Sequence, residues 1–308
     1  MGIAIAPLRH EDLGEADRVF RVAFGTFLGV PDPASFGGDS AWITTRWQAD
    51  PAATLGAYED GALIGSNFAA KWGSFGFFGP LTVRPDRWNR GVAQRLLEAT
   101  MALFENWGTQ QIGLFTFSHS PKHVGLYQRF GFWPGMLTAI TVKKPPERQE
   151  DAGEWSLAAV DSDLEICRQL TGEIFAGLDL EREARALAEQ RLGETVLIWE
   201  GGRLAGMAIC HIGAASEAGS GALYVKFGAA RPGAGAAVRF EHLLAACEAL
   251  AVERGAGRVI AGVNTARHDA YRALLRQGFR TEFLGVAMQR PNQPGFNRPD
   301  CFVIDDWR

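Results

Sequence analysis

The sequence predicts an α/β chain made of two copies of one unit, each a mixed sheet flanked by helices. Three observations carry this: a weak internal duplication, an order of strand-like and helix-like runs that recurs in each half, and a charged, proline-bearing segment between the halves. The chain has 308 residues, 47% hydrophobic and 21% charged, which is ordinary globular composition and enough for two sizeable cores.

The duplication shows in three places. Residues 54–65, TLGAYEDGALIG, match 195–206, TVLIWEGGRLAG: two apolar runs joined by Asp60-Gly61 or Gly201-Gly202, a hairpin signal because these dipeptides turn tightly. Residues 96–115, LLEATMALFENWGTQQIGLF, run parallel to 242–263, HLLAACEALAVERGAGRVIAGV, each a helix with apolar spacing of three and four, a glycine stop and a strand. LYQRFGF (126–132) then parallels LLRQGF (274–279). Gly108 to Gly255 and Gly131 to Gly278 are both separations of 147, so the copies share a register.

Each copy reads in order as strand, helix, helix, a hairpin into a third strand, a glycine-containing loop, a long helix, a strand, a short helix and a last strand. Ala139 to Val142 and Val286 to Met288 are the last strands. Between the copies lies KKPPERQEDAGE (143–154), whose paired prolines remove backbone donors. The reading therefore places one unit at 1–144, a linker at 145–155 and the second unit at 156–290. The tail at 291–308, rich in proline and asparagine before a short apolar run, is expected to pack back on the body.

Composition narrows the function. Against 35 acidic residues there are 31 basic ones, so the excess that drives phosphate-backbone binding is missing and nucleic acid is not an expected partner. No apolar stretch approaches the ~18 residues of a membrane span, and the start, MGIAIAPLRHED, lacks the basic flank of a secretion signal. No membrane partner and a cytoplasmic location are the resulting expectations. Cys167, Cys210, Cys247 and Cys301 have no CxxC spacing, which points to reduced thiols rather than disulfides or a metal site.

The segment FGPLTVRPDRWNRGVAQRLLEA (78–99) carries the chemistry. It reads as a strand ending at Val83, a turn led by Pro85-Asp86, and a helix opening at Asn89-Arg90-Gly91-Val92-Ala93. The first turn of a helix offers unpaired amides and the positive end of its dipole to a phosphate. Gly91 and Ala93 keep side chains away from those amides, and Arg90 adds a charge. No Lys-Ser/Thr pair follows, so a Walker loop is excluded.

Residues Val83 to Leu97, the strand Ile112 to Phe117, and Leu126-Tyr127-Gln-Arg-Phe-Gly-Phe132 together resemble the two signature motifs of the GNAT superfamily of acyl-CoA-dependent N-acyltransferases, in order and in spacing. The superfamily's phosphate loop reads Gln or Arg, two residues, Gly, one residue, Gly or Ala. This chain has Gly91 and Ala93, with Trp88 where Gln or Arg is usual. The resemblance covers 1–144 well and 156–290 in outline. It implies two tandem GNAT-like domains, each a mixed, mostly antiparallel twisted sheet flanked by helices. It further implies acetyl-CoA or another acyl-CoA as donor, with no metal. The pyrophosphate would sit on the amides of Asn89, Arg90, Gly91, Val92, Ala93 and Gln94, and the pantetheine arm would pair like a strand with Leu81, Thr82 and Val83. The activity implied is N-acetyl transfer to a primary amine by direct attack, by a monomer or homodimer. A non-catalytic acyl-CoA-binding or interaction protein on the same fold is the alternative.

Tyr127 stands where many members of that superfamily carry a tyrosine that protonates the departing thiolate, and a phenol of pKa near 10 is matched to a thiol near 8.5. His119, just past the strand 112–117, is the candidate base, with His123, Asp39 and Glu59 as weaker alternatives. The absence of cysteine from 1–144 excludes a covalent acyl-thiol step in the first unit. In the second copy Leu274 and Ala266 fall at the positions of Tyr127 and His119, and the loop Arg231-Pro-Gly233-Ala-Gly235-Ala-Ala237 starts about one turn early. That copy reads as a structural or substrate-shaping unit. Trp42, Trp47, Trp72, Phe75, Phe77 and Phe78 divide between core and acceptor pocket in a way the sequence leaves open.

Overall fold

The computed structural model describes residues 2–147 and 153–308. In the first copy the elements run β1 (Ala4–Pro7), α1 (Leu13–Leu28), α2 (Trp42–Ala49), β2 (Thr54–Glu59), β3 (Ala62–Trp72), β4 (Phe75–Phe78), β5 (Thr82–Val83), α3 (Val92–Asn106), β6 (Gln111–Thr116), α4 (Pro121–Gln128) and β7 (Trp133–Lys143). The second copy repeats them as β8 (Trp155–Leu157), α5 (Val160–Ile174), α6 (Glu181–Glu189), β9 (Gly193–Glu200), β10 (Arg203–Gly213), β11 (Gly219–Ala230), α7 (Ala236–Glu253), β12 (Arg258–Asn264), α8 (His268–Arg276) and β13 (Arg280–Arg290). A short strand β14 (Val303–Ile304) lies in the tail. Part of the segment expected as linker falls outside the described residues, and Trp155, placed there by the sequence, already pairs in β8. No described helix is long and apolar enough to cross a membrane.

Local sequence explains these elements. Helix α1 buries Leu13, Ala16, Val19, Phe20 and Ala23, the spacing of one helical face, and stops where Gly29 takes φ 70°. The hairpins β2–β3 and β9–β10 turn at Asp60-Gly61 and Gly201-Gly202, all with positive φ. Helices α3 and α7 end at equivalent glycines, Gly108 and Gly255, but α7 has 18 residues against 15, so it begins a turn earlier.

One sheet runs through both copies, and its order is palindromic. From one edge it reads β1, β2, β3, β4, β6, β13, β7, β12, β11, β10, β9, β8. Each copy thus gives its last strand to the other: β13 pairs with β6 (Val286 opposite Thr116) and β7 pairs with β12 (Thr141 opposite Ala261). The two donated strands also pair with each other at the centre. Nothing in a hydrophobic pattern distinguishes pairing within a copy from pairing across copies, so the sequence carries no sign of the exchange. Close backbone approach marks it instead: a Cβ on Gly285 of β13 would lie 2.3 Å from Phe115 of β6.

A buried ionic cluster joins the copies beneath this sheet. Arg46 of α2 holds Glu217 at 2.7 Å, Lys226 lies 2.7 Å from Glu217 and 2.6 Å from Glu183, and Trp72 donates to Glu183. Desolvation raises the carboxyl of Glu217, yet Arg46 and Lys226 outweigh it and hold the group well below its ordinary range. His211 beside them is pushed down to about 4 by burial and stays neutral. Backbone contacts reinforce the joint: Ala41 N–H donates to the Ser216 carbonyl at 2.9 Å, and Trp42 Nε1 donates to the Glu217 carbonyl at 3.0 Å. The α1–α2 connection of the first copy is therefore held by the second.

Candidate active site

Strands β4 and β6 pair in parallel only at Phe75–Phe77 with Gln111–Gly113, then splay apart. The wedge they leave opens into a cavity of about 980 Å3, lined by Leu81, Thr82 and Val83 on one side and Phe115, Thr116 and Phe117 on the other. One end reaches Asn89, Gly91, Val92, Ala93 and Gln94 at the start of α3.

The loop there has the conformation an anion cradle requires. Asn89 and Gly91 take φ of 64° and 78°, and no side chain caps the amides of α3. A Cβ at Gly91 would meet nothing within 4 Å, so glycine is needed for its backbone angle and for the space left in front of the amides. Arg90 is exposed and lies 3.8 Å from Glu59, outside the cavity lining. Trp88, the departure from the superfamily pattern, donates its indole N–H to the Val83 carbonyl at 2.7 Å and ties the loop to β5.

The internal repeat shows what such a wedge accepts. In the second copy β11 and β12 pair at Ala222–Val225 with Arg258–Ala261 and then splay in the same way. Their wedge is filled by the tail: Ile304 and Val303 pair with Gly228 and Ala229, and Ala230 N–H donates to the Phe302 carbonyl at 3.0 Å. Since Val83 faces Gly65 and Ala230 faces the equivalent Gly206, the segment 228–230 is the counterpart of Leu81 to Val83. An extended chain occupies one wedge, and the other is open.

Tyr127 and His123 sit one turn apart on α4 and both line the cavity. Burial pushes the Tyr127 phenol well above its ordinary value, with a hydrogen bond to Thr116 opposing, so it stays protonated. Burial lowers the His123 imidazole below 6.5, helped by Lys122 and His119, and its buried Nδ1 has no hydrogen-bond partner. His119 differs from the expectation: it lies in the turn before Ser120 caps α4, is exposed, and does not line the cavity. Asp39 is engaged by Ser220 and Glu59 by Arg87. Of the early aromatics, Trp42 and Phe78 reach the cavity, Trp72, Phe75 and Phe77 lie in the core between the copies, and Trp47 bonds the Leu8 carbonyl.

Three lining residues come from the second copy or the tail: Phe283 on β13, Trp307 and Arg308. Sequence reasoning missed them because they are distant in the chain; the apolar run before Trp307 was the one available signal.

An uncapped helix start, an open wedge between strands and a buried tyrosine thus meet in one cavity on a mixed sheet. Residues 23–132 match the model of the acetyltransferase (GNAT) family. No curated protein matches the sequence. Among solved structures, a putative acetyltransferase from Pyrococcus horikoshii superposes with TM-score 0.71 at 13% identity, over 99% of this chain and 95% of that one. A GCN5-related N-acetyltransferase from Sphaerobacter thermophilus gives 0.63 at 14% identity, over 95% and 96%. Another, from Kribbella flavida, gives 0.54 at 14%, over 94% of this chain and 70% of its own. At these identities the likeness is one of fold, and the fold is that of two tandem GNAT-like domains.

Proposed function

We propose that the protein is an N-acetyltransferase that moves the acetyl group of acetyl-CoA directly onto a primary amine, with the chemistry confined to the copy at 1–144. The copy at 156–290 and the tail at 291–308 shape the site. The observation that carries this reading is the pair of wedges. The tail's strand fills the second at 228–230, while the first is open at Leu81 to Val83 and leads to uncapped amides at Gly91 to Gln94. A pantetheine arm is extended and can pair as that strand does, and a pyrophosphate suits the helix start.

Acetyl-CoA supplies the activated carbonyl; the protein supplies orientation and proton transfers. The amine nitrogen forms the C–N bond as the C–S bond breaks, Tyr127 gives its phenol proton to the departing sulfur, and His123 takes the proton released by the amine. The protonated phenol and the neutral imidazole have the states those roles need. Backbone amides along Leu81 to Val83 polarise the carbonyl oxygen.

The test is calorimetric titration with CoA on the wild-type chain and on Gly91→Glu. The variant forces a side chain onto a left-handed backbone and sets a negative charge beside the phosphates, so CoA affinity should fall by at least about a hundredfold, two strong contacts' worth. Unchanged affinity overturns the assignment.

A further inference from the structure

We infer that the acceptor is a primary amine whose apolar or aromatic body carries a carboxylate at the end remote from the amine; this rests on the acyl-transfer reading above. Beyond Tyr127 and His123 the cavity wall is ring upon ring. Phe27 lies 4.6 Å from Phe117, Phe24 lies 5.8 Å from Phe117 and 5.5 Å from Phe36, and Phe283 lies 6.0 Å from Phe117. Such a wall binds an apolar body and offers it few hydrogen bonds.

Charge at the far end is of one sign. Among the described residues, none of those lining the cavity is Asp or Glu. Of the other cations lining the cavity, Arg87 precedes the Gly91 loop, Lys122 lies 5.4 Å from the Trp88 ring, and Arg129 closes the end of α4. Arg308 stands apart from them, with its guanidinium carbon 4.5 Å from the Tyr224 ring and 6.0 Å from Trp42. It belongs to the buried cluster, in which Arg46, Lys226 and Arg308 face Glu217, Glu183 and Asp306. Those side-chain charges balance, Arg46 also donates to the Arg308 main-chain oxygen, and of the six side chains only that of Arg308 belongs to a residue lining the cavity.

Aromatic walls also attract cations, so a polyamine or amino sugar must be weighed. The Trp42 ring already has two guanidinium groups within 6.0 Å, those of Arg46 and Arg308. A further ammonium group there meets repulsion and finds no carboxylate. A carboxylate instead gains a charge-assisted partner in Arg308, whose side chain keeps 21% of its surface exposed. With rings between Arg308 and α4, the amine and the anionic group sit at opposite ends of the acceptor.

The experiment measures thiol release from acetyl-CoA with 4-(aminomethyl)benzoate, benzylamine and spermidine, by wild-type protein, Arg308→Gln and Arg308→Lys. The carboxylated amine should show kcat/KM about ten- to a hundredfold above benzylamine, the span of one charged hydrogen bond, and the gain should lie in KM. Arg308→Gln should abolish that preference, with circular dichroism and CoA binding reporting an intact fold, whereas Arg308→Lys should keep part of it. Equal rates for the two benzyl compounds, spermidine as the best acceptor, a preference that survives in Arg308→Gln, or no turnover with any amine while CoA binds, overturns the inference. Failure to bind CoA overturns the acyl-transfer reading instead.

Discussion

Tyr127 and His123 share one face of one short helix, and their surroundings push their protonation in useful directions. Tyr127→Phe keeps the ring against Phe78 and Phe132 and removes the proton, so turnover should drop about ten- to a thousandfold while CoA affinity holds. Steady-state rates beside a CoA titration check this; wild-type turnover would return the ring to the core. His123 has its pKa lowered from 6.5, so its neutral form persists through neutral pH and is lost only below. The kcat/KM profile should be flat near pH 7 and fall on the acid side beneath 6.5, and His123→Gln should lower the plateau and remove that limb. A profile identical in the variant would show that another group takes the proton.

At the level of single elements, the exchanged strand β13 is the piece most sensitive to shape. Gly285 faces the Phe115 ring and the Thr116 carbonyl with no room for a methyl group. Gly285→Val should cost about 2–3 kcal/mol by overpacking and disturb the wall holding Phe115 and Phe283, measurable as a lower urea midpoint with an unchanged slope. A midpoint within error of wild type would mean that the strands are not so close. Several first-copy elements were legible from pattern: α3 by its three-four spacing and its start at Gly91, and β2–β3 by Asp60-Gly61. The exchange was not legible, since β7 and β13 have the same pattern whichever neighbour they pair with. The base we propose was half legible: Ser120 as a cap leaves His119 exposed and sets His123 against the cavity, which is a matter of helix phase rather than composition. In the sequence Trp88 is a departure from the superfamily's loop pattern, and its bond to the Val83 carbonyl makes it a brace.

Across the whole molecule, the wedges predict the stoichiometry. Gly235, which precedes α7, has φ 84°, close to the 78° of Gly91 before α3, so the second copy retains the same turn. Its wedge is nonetheless occupied by Phe302 to Ile304. Calorimetry should therefore give one CoA per chain, and Gly235→Glu should leave turnover within about twofold, as expected of a surface change outside the site. Two equivalent sites, or an inactive but folded variant, would show that the second copy works.

The interleaved order of the central strands bears on how the chain is made. During synthesis β7 emerges long before β12 and β13, so a nascent first copy has an incomplete sheet and an exposed row of backbone donors and acceptors. The cavity lacks Phe283, Trp307 and Arg308 until the segment beyond residue 280 has been made. A chain cut short before residue 283 thus cannot complete this cavity wall. The long interval between β7 and its neighbours is a period in which that edge is open to pairing with another copy.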